Sequence, residues 1–198
     1  MNVEIMSPVG SYESLMAAIQ AGAGSVYFGV GNMNMRSRSA ANFTNDDLPK
    51  ITDICKEHKV RSYLTVNTII YNNEVTEVRQ LIDLAKQCEV SAIIAFDWAV
   101  IQYCRKIGME VHISTQCNIT NIEAVRFYAQ SADVMVLARE VSLAQAADIC
   151  KTIKEEQICG PSGQLVQIEM FVHGALCMAV SGKCYLSLDN LGHSANRG

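Results

Sequence analysis

Long apolar runs are absent from this chain, and so are most of the short motifs that advertise a common chemistry. No hydrophobic stretch approaches the ~20 residues that a bilayer-spanning helix needs. The opening Met-Asn-Val-Glu-Ile-Met-Ser-Pro has neither the basic stretch nor the apolar core of a secretory signal, so the expected location is cytoplasmic, with no membrane attachment. Positive charge is not in excess. A net charge of −4 argues against bulk electrostatic binding of nucleic acid, while leaving room for a local basic patch. There is no His-Glu-x-x-His zinc helix, and Gly160-Pro-Ser-Gly163 lacks the spacing of a Gly-x-Ser-x-Gly nucleophile elbow. The first turn, Ser7-Pro-Val-Gly-Ser11, lacks Gly-x-Gly-x-x-Gly, which disfavours a dinucleotide-binding sheet.

What is present is the composition of a soluble globular protein, 49% hydrophobic and 18% charged. At 198 residues it is long enough to bury roughly 70% of its extended surface. β-rich runs at 3–6, 25–28, 61–66, 92–96, 110–114, 133–137 and 167–172 alternate with amphipathic helices near 11–22, 46–58, 74–88, 98–107, 121–130 and 142–156. That alternation predicts a parallel sheet with right-handed crossovers, its strands covered on both faces. The expected fold is α/β, a TIM-like (β/α) barrel left incomplete at about seven strands, with residues 1–198 forming one barrel domain. Its first and last strands would leave an edge through which a second copy could pair, a route to a homo-oligomer. Ser11, the acids Asp46 and Asp47, and Gly22 and Gly108 sit where helices should start and stop. The stretch Gly29 to Asn45 has little periodicity, and a loop of that length favours a functional role.

Eight cysteines in a reducing compartment read as thiols or metal ligands rather than disulfides. Cys55, Cys88, Cys104 and Cys150 each fall on the apolar stripe of a helix and read as small buried hydrophobes. Cys159 sits in a Gly/Pro/Ser loop without an assigned role, and Cys117 is read as ending a strand. Cys177 and Cys184, seven apart across a Gly-containing connector, belong to no stripe and form a plausible half of a metal or cluster site.

Chemistry in a (β/α) barrel gathers at the C-terminal ends of the strands. In this chain those ends carry Ser7 with Glu13, then Arg36 and Arg38, Asn67, Asp97, Gln116 and Asn118, Arg139 and Glu140, and His173 with Cys177. Plainer roles stand beside the functional ones. Asp97 is a good helix N-cap, and Arg139-Glu140 is an ordinary surface ion pair if solvated. His173 is a structural residue, the base of a Cys–His pair with Cys177, or a proton donor beside a cluster. The candidate catalytic residues are Glu169, His173, Arg139 and Glu140. Candidates for substrate binding are Arg36, Asn67, Gln116 and Asn118, and Cys177 and Cys184 are the candidate metal ligands.

The segment Glu169, Phe171, Gly174, Ala175, Cys177, then Gly182 and Cys184, resembles the signature of peptidase family U32, the collagenase-like peptidases. Ser7-Pro-Val-Gly-Ser11 with Glu13 and Leu15 is similar to that family's opening turn, with Ser7 in place of the usual alanine. Val26-Tyr-Phe-Gly29, Met35-Arg36, Asn42-Phe43, His112-Ile-Ser-Thr-Gln116, Leu137-Ala-Arg-Glu140 and Asn196-Arg-Gly198 match as well. The resemblance implies one of two activities: the proteolysis of the family's name, or oxygen-independent hydroxylation of a tRNA or rRNA base, in some members with prephenate as cosubstrate. It also implies a [4Fe–4S] cluster held by four cysteines. Two of these map onto Cys177 and Cys184, and a third is expected immediately past Gly198, so these 198 residues alone are expected not to hold a stable cluster. The implied partners are an RNA or a peptide substrate, with a non-catalytic binding barrel as a further alternative.

Overall fold

The computed structural model describes residues 3–35, 43–174, 177–184, 188–189, 192 and 194. It divides between Ile94 and Ala95 into two compact units. The first contains β1 (Met6–Pro8), α1 (Tyr12–Gln20), β2 (Ser25–Phe28), α2 (Leu48–Glu57), β3 (Arg61–Val66), α3 (Val75–Gln87) and most of β4 (Ala92–Ala95). The second contains α4 (Trp98–Ile107), β5 (Val111–Ile113), α5 (Ile122–Ala129), β6 (Val134–Val136), α6 (Leu143–Glu155) and β7 (Gln167–Glu169). Within each unit the strand order follows the chain order, and the registered pairs β1–β2, β2–β3, β5–β6 and β6–β7 are all parallel. Among the described residues seven strands in chain order alternate with helices, which makes this an α/β fold of the TIM-like (β/α)-barrel class, a partial barrel.

Alternation along each strand explains the layering. In the first unit Val26, Phe28, Leu64 and Val66 are fully or almost fully buried, as are Leu15, Leu48, Ile51, Val78 and Ile82 on the helices. On the other face Tyr63, Ala92 and Ile94 form a cluster joined by Met6 and Tyr27. Both faces are thus apolar, as expected of parallel strands that are covered twice. In the second unit Ile113 and Met135 pair in register and are both inaccessible, while His112, Val134 and Gln167 line up on the opposite face.

Helix punctuation follows local chemistry. Ser11 and Ser14 form a reciprocal capping box at the start of α1, Asp97 accepts the Ala99 N–H at 2.8 Å to cap α4, and Gly108 ends α4 in the left-handed region. Five strands differ from the sequence expectation in their limits; β4 stops at Ala95 rather than at 96, and β6 spans Val134–Val136 rather than 133–137. β1 begins at Met6 rather than Val3, and Val3 and Ile5 are 79% and 65% exposed. β5 is shorter, Val111–Ile113, so Cys117 lies in a 3-10 turn (Thr115–Cys117) instead of ending a strand. β7 stops at Glu169, where its neighbour β6 ends at Val136, and Val172 beyond it is 92% exposed. Cys55 and Cys104 are buried as expected, while Cys88 and Cys150 are only half-buried. Among the described residues no helix is long and apolar enough to cross a membrane.

Candidate functional site

The candidate site lies in the second unit, where the segment carrying both signature thiols rests on the residues that follow β6. The Ala138 N–H donates to the Ile119 carbonyl at 2.9 Å, and Ser142 and Gln145 form a capping box that starts α6. Arg139 and Glu140 are therefore held between a strand end and a capped helix. The Arg139 backbone N–H and Nε donate to Ser181 Oγ at 3.1 and 3.4 Å, and its Nη2 donates to the Ala179 carbonyl at 3.2 Å. Glu140 Oε1 accepts the Ser181 N–H at 2.9 Å. Two adjacent residues thus grip one segment about forty positions later, and Ser181 at its centre is completely buried.

The gripped segment is a tight turn. The Lys183 N–H donates to the Val180 carbonyl at 2.9 Å, and Gly182 at the third position has φ +77°. That conformation suits glycine, and a side chain there would also overlap the Gln116 carbonyl oxygen. The glycine of the Gly-x-Cys motif therefore has a geometric cause. Cys177 and Cys184 lie on the two arms of the turn, the first exposed and the second half-buried. The Ala179 N–H and then the Arg139 side chain hold the Cys177 thiol below its ordinary pKa, against a smaller contrary effect of burial. Burial works to raise Glu140, but the Ser181 N–H and the charge of Arg139 hold its carboxyl below the usual range.

A second polar cluster involves Glu169, the last residue of β7. Its Oε1 lies 2.9 Å from Nδ1 of His112 on β5, and Nε2 of the same ring lies 3.1 Å from Glu110 Oε1. Both contacts are at ion-pair distance. The His112 side chain is 2% exposed. Its burial works against a charged ring, yet hydrogen bonding and charge from Glu110 and Glu169 outweigh that and raise the imidazole to about 9.

The remaining candidates divide by what they touch. Asn67 Oδ1 accepts the Met35 N–H at 3.2 Å, so this side chain pins the segment after β2. Asn34, nearly inaccessible, donates to the Gly31 carbonyl at 3.1 Å and orders the same segment from within. Gln116 meets the thiol turn through its backbone carbonyl, and Asn118 adopts the left-handed conformation that closes the 3-10 turn. His173 is exposed and makes no hydrogen bond or ion pair among the described residues. Arg36, Arg38, Asn42, Ala175 and the Asn196-Arg197-Gly198 triplet lie outside the described residues. Sequence reasoning missed His112 and Ser181 as site residues. His112 carried a signal, an ionisable residue inside a three-residue apolar strand two positions from Glu110, whereas nothing in the sequence marked Ser181.

Cys177 suits a soft metal: it is exposed and biased toward the thiolate that binds metals. Among the described residues no group of three His, Cys, Asp or Glu side chains could hold a metal ion. A four-iron cluster takes four thiolates. Cys177 and Cys184 fit half of that set, and two more would have to come from residues other than those described.

The family model for peptidase family U32 matches residues 10–198. A collagenase of Porphyromonas gingivalis is 61% identical over 98% of this chain and 47% of its own length. The tRNA hydroxylation protein P1 of Bacillus subtilis is 31% identical over 98% of this chain and 44% of its own. The chain thus spans about half the length of these relatives. The solved structure of the U32 peptidase Mk0906 superposes with a TM-score of 0.65 at 13% identity, covering 85% of this chain and 67% of that one, and so shows the fold alone. The fold is that of a (β/α) barrel carrying a cysteine-bearing turn beyond its last strand. The chain belongs to peptidase family U32.

Proposed function

We propose that this chain is the barrel part of an iron–sulfur protein for oxygen-independent hydroxylation of an RNA base in the cytoplasm. The single observation that carries the reading is the Arg139–Glu140 grip, which presents the exposed Cys177 thiol with a lowered pKa on the same turn as Cys184 and, among the described residues, with no general base in hydrogen-bond contact. A thiol of lowered pKa can serve as a nucleophile or as a metal ligand, but a second cysteine on the other arm of the same turn is called for only by the ligand. A relative named for tRNA hydroxylation supports the RNA assignment. Cys177 and Cys184 would hold one side of a [4Fe–4S] cluster, which when bound supplies electron transfer. Arg139, together with Arg36, would meet anionic groups: a phosphate or a carboxylate cosubstrate such as prephenate. Glu169 would orient a polar donor of the substrate at the end of β7.

Anaerobic reconstitution of the intact protein tests this. Absorption near ~400 nm, with iron and sulfide in stoichiometric amounts and loss of both in Cys177→Ser, is the expected result. Failure of the wild-type protein to take up iron overturns it. A second reading rests on a specific observation, the 61% identity to a protein named collagenase. It would make Cys177 a nucleophile served by His173. Release of peptides from denatured collagen that is abolished by Cys177→Ala and indifferent to chelators and air would establish it in place of the first.

A further inference from the structure

Three glutamates lie near the strand ends of the second unit, and their lone pairs are used differently. Glu140 is consumed by the thiol turn, because its Oε1 takes the Ser181 N–H. Glu110 sits at the other end of His112 with its side chain 44% exposed. Glu169 differs from both. Its Oε1 faces the His112 ring, its Oε2 is enclosed without a hydrogen-bond partner among the described residues, and its side chain keeps 21% of its surface accessible. An under-satisfied carboxylate at a strand end needs an explanation, either a proton or a donor brought from outside. The accessible fraction of the side chain leaves an approach for such a donor.

We propose that His112 is the positioning residue for Glu169: pinned between the Glu110 and Glu169 carboxylates, it fixes the rotamer of Glu169 so that this acid can accept a hydrogen bond from an N–H or O–H donor of the substrate. The inference rests on the reading of Glu169 as a substrate-facing group. Register supports the geometry. His112 aligns through Val134 with Gln167, so Glu169, two residues further along β7, projects from the same face of the sheet as the ring. The two carboxylates facing His112 come from different elements, Glu110 from just before β5 and Glu169 from the end of β7. The substrate class this arrangement suits carries a neutral polar donor, such as the ring N–H or exocyclic amino group of a nucleobase, rather than an anion.

Two measurements decide it separately. Long-range proton–nitrogen spectra of the ¹⁵N-histidine-labelled protein should show His112 protonated on both nitrogens at pH 7 and deprotonating near pH 9, and the isosteric Glu169→Gln should lower that midpoint by at least one pH unit. A ring that is neutral at pH 7, or a midpoint indifferent to Glu169→Gln, overturns the proposal whatever the protein's activity. In anaerobic extracts of a host lacking its own U32 hydroxylation protein, mass spectrometry of RNA nucleosides gives the rate of hydroxylation. With melting temperatures matched, His112→Gln and Glu169→Gln should each lower the rate at least tenfold, and the double variant should be no slower than the slower single. The wild-type rate should fall above pH 9, and the His112→Gln rate should be flat there. Independent, multiplying losses would overturn the positioning role. Absence of hydroxylated nucleoside with wild-type protein removes the RNA reading, and with it the substrate half of the proposal, while the ring titration still judges the His112–Glu169 coupling.

Discussion

Gly182 faces the Gln116 carbonyl so closely that a β-carbon on the glycine would overlap the oxygen. The contact ties the turn carrying the signature thiols to the 3-10 turn after β5. Gly182→Ala must bear the left-handed backbone, about 1–2 kcal/mol, and displace a main-chain atom as well. The expected outcome is loss of hydrogen-exchange protection at the Lys183 amide, which bonds to Val180, with little change in the protection of β5 and β6 amides.

Thiol reactivity should rank by environment. Cys177 is exposed and held below its ordinary pKa, whereas burial pushes Cys55 up to about 11 and Cys104 up to about 12. Brief alkylation of the native protein, followed by peptide mass spectrometry, should label Cys177 first and leave Cys55 and Cys104 unlabelled. Arg139→Gln removes the charge beside the thiol and should move the alkylation profile of Cys177 to higher pH.

The His112 cluster makes stability fall as pH rises. Its folded-state pKa of about 9 lies above the ordinary 6.5, so the folded protein holds the proton more tightly than the unfolded chain does. The stabilisation is fully present below pH 6.5 and is lost as pH rises through 9, with a slope of at most ~1.4 kcal/mol per pH unit. Urea titrations across that range should show a declining midpoint in the wild type and a smaller decline in His112→Gln. Removing the ring also strands the enclosed Glu169, a loss of about 3–5 kcal/mol for a buried pair broken on one side. His112→Ala should therefore melt well below the wild type at pH 7.

Asn67 is expected to act through the backbone it holds. Asn67→Ala frees the Met35 N–H that its Oδ1 accepts, while Asn67→Asp keeps an acceptor in place. Amide exchange at Met35 should speed up markedly in the alanine variant and change little in the aspartate one, at a stability loss of about 1–3 kcal/mol for the former.

The strand–helix alternation was legible because each element carries its own periodicity: Val26 and Phe28 against Tyr27, or Leu48, Ile51 and Cys55 on one stripe. Strand ends were less so. Phe171 and Val172 extend the apolar alternation of β7 but are exposed, since a strand stops where its neighbour stops offering hydrogen bonds and sequence says nothing of the neighbour. Within the site, Arg139 and Glu140 were recognisable as strand-end polar residues. Their shared target, Ser181, was not, because a contact across about forty residues leaves no local spacing to read. His112 looked like one letter of a motif until β5 and β7 were placed on either side of β6.

Arg139 and Glu140 run into Ser142, the first cap of α6, with a single residue between. The thiol turn is thus geared to that helix: a small tilt of α6 would drag the Ala179 carbonyl and the Ser181 amide with it and re-aim Cys177.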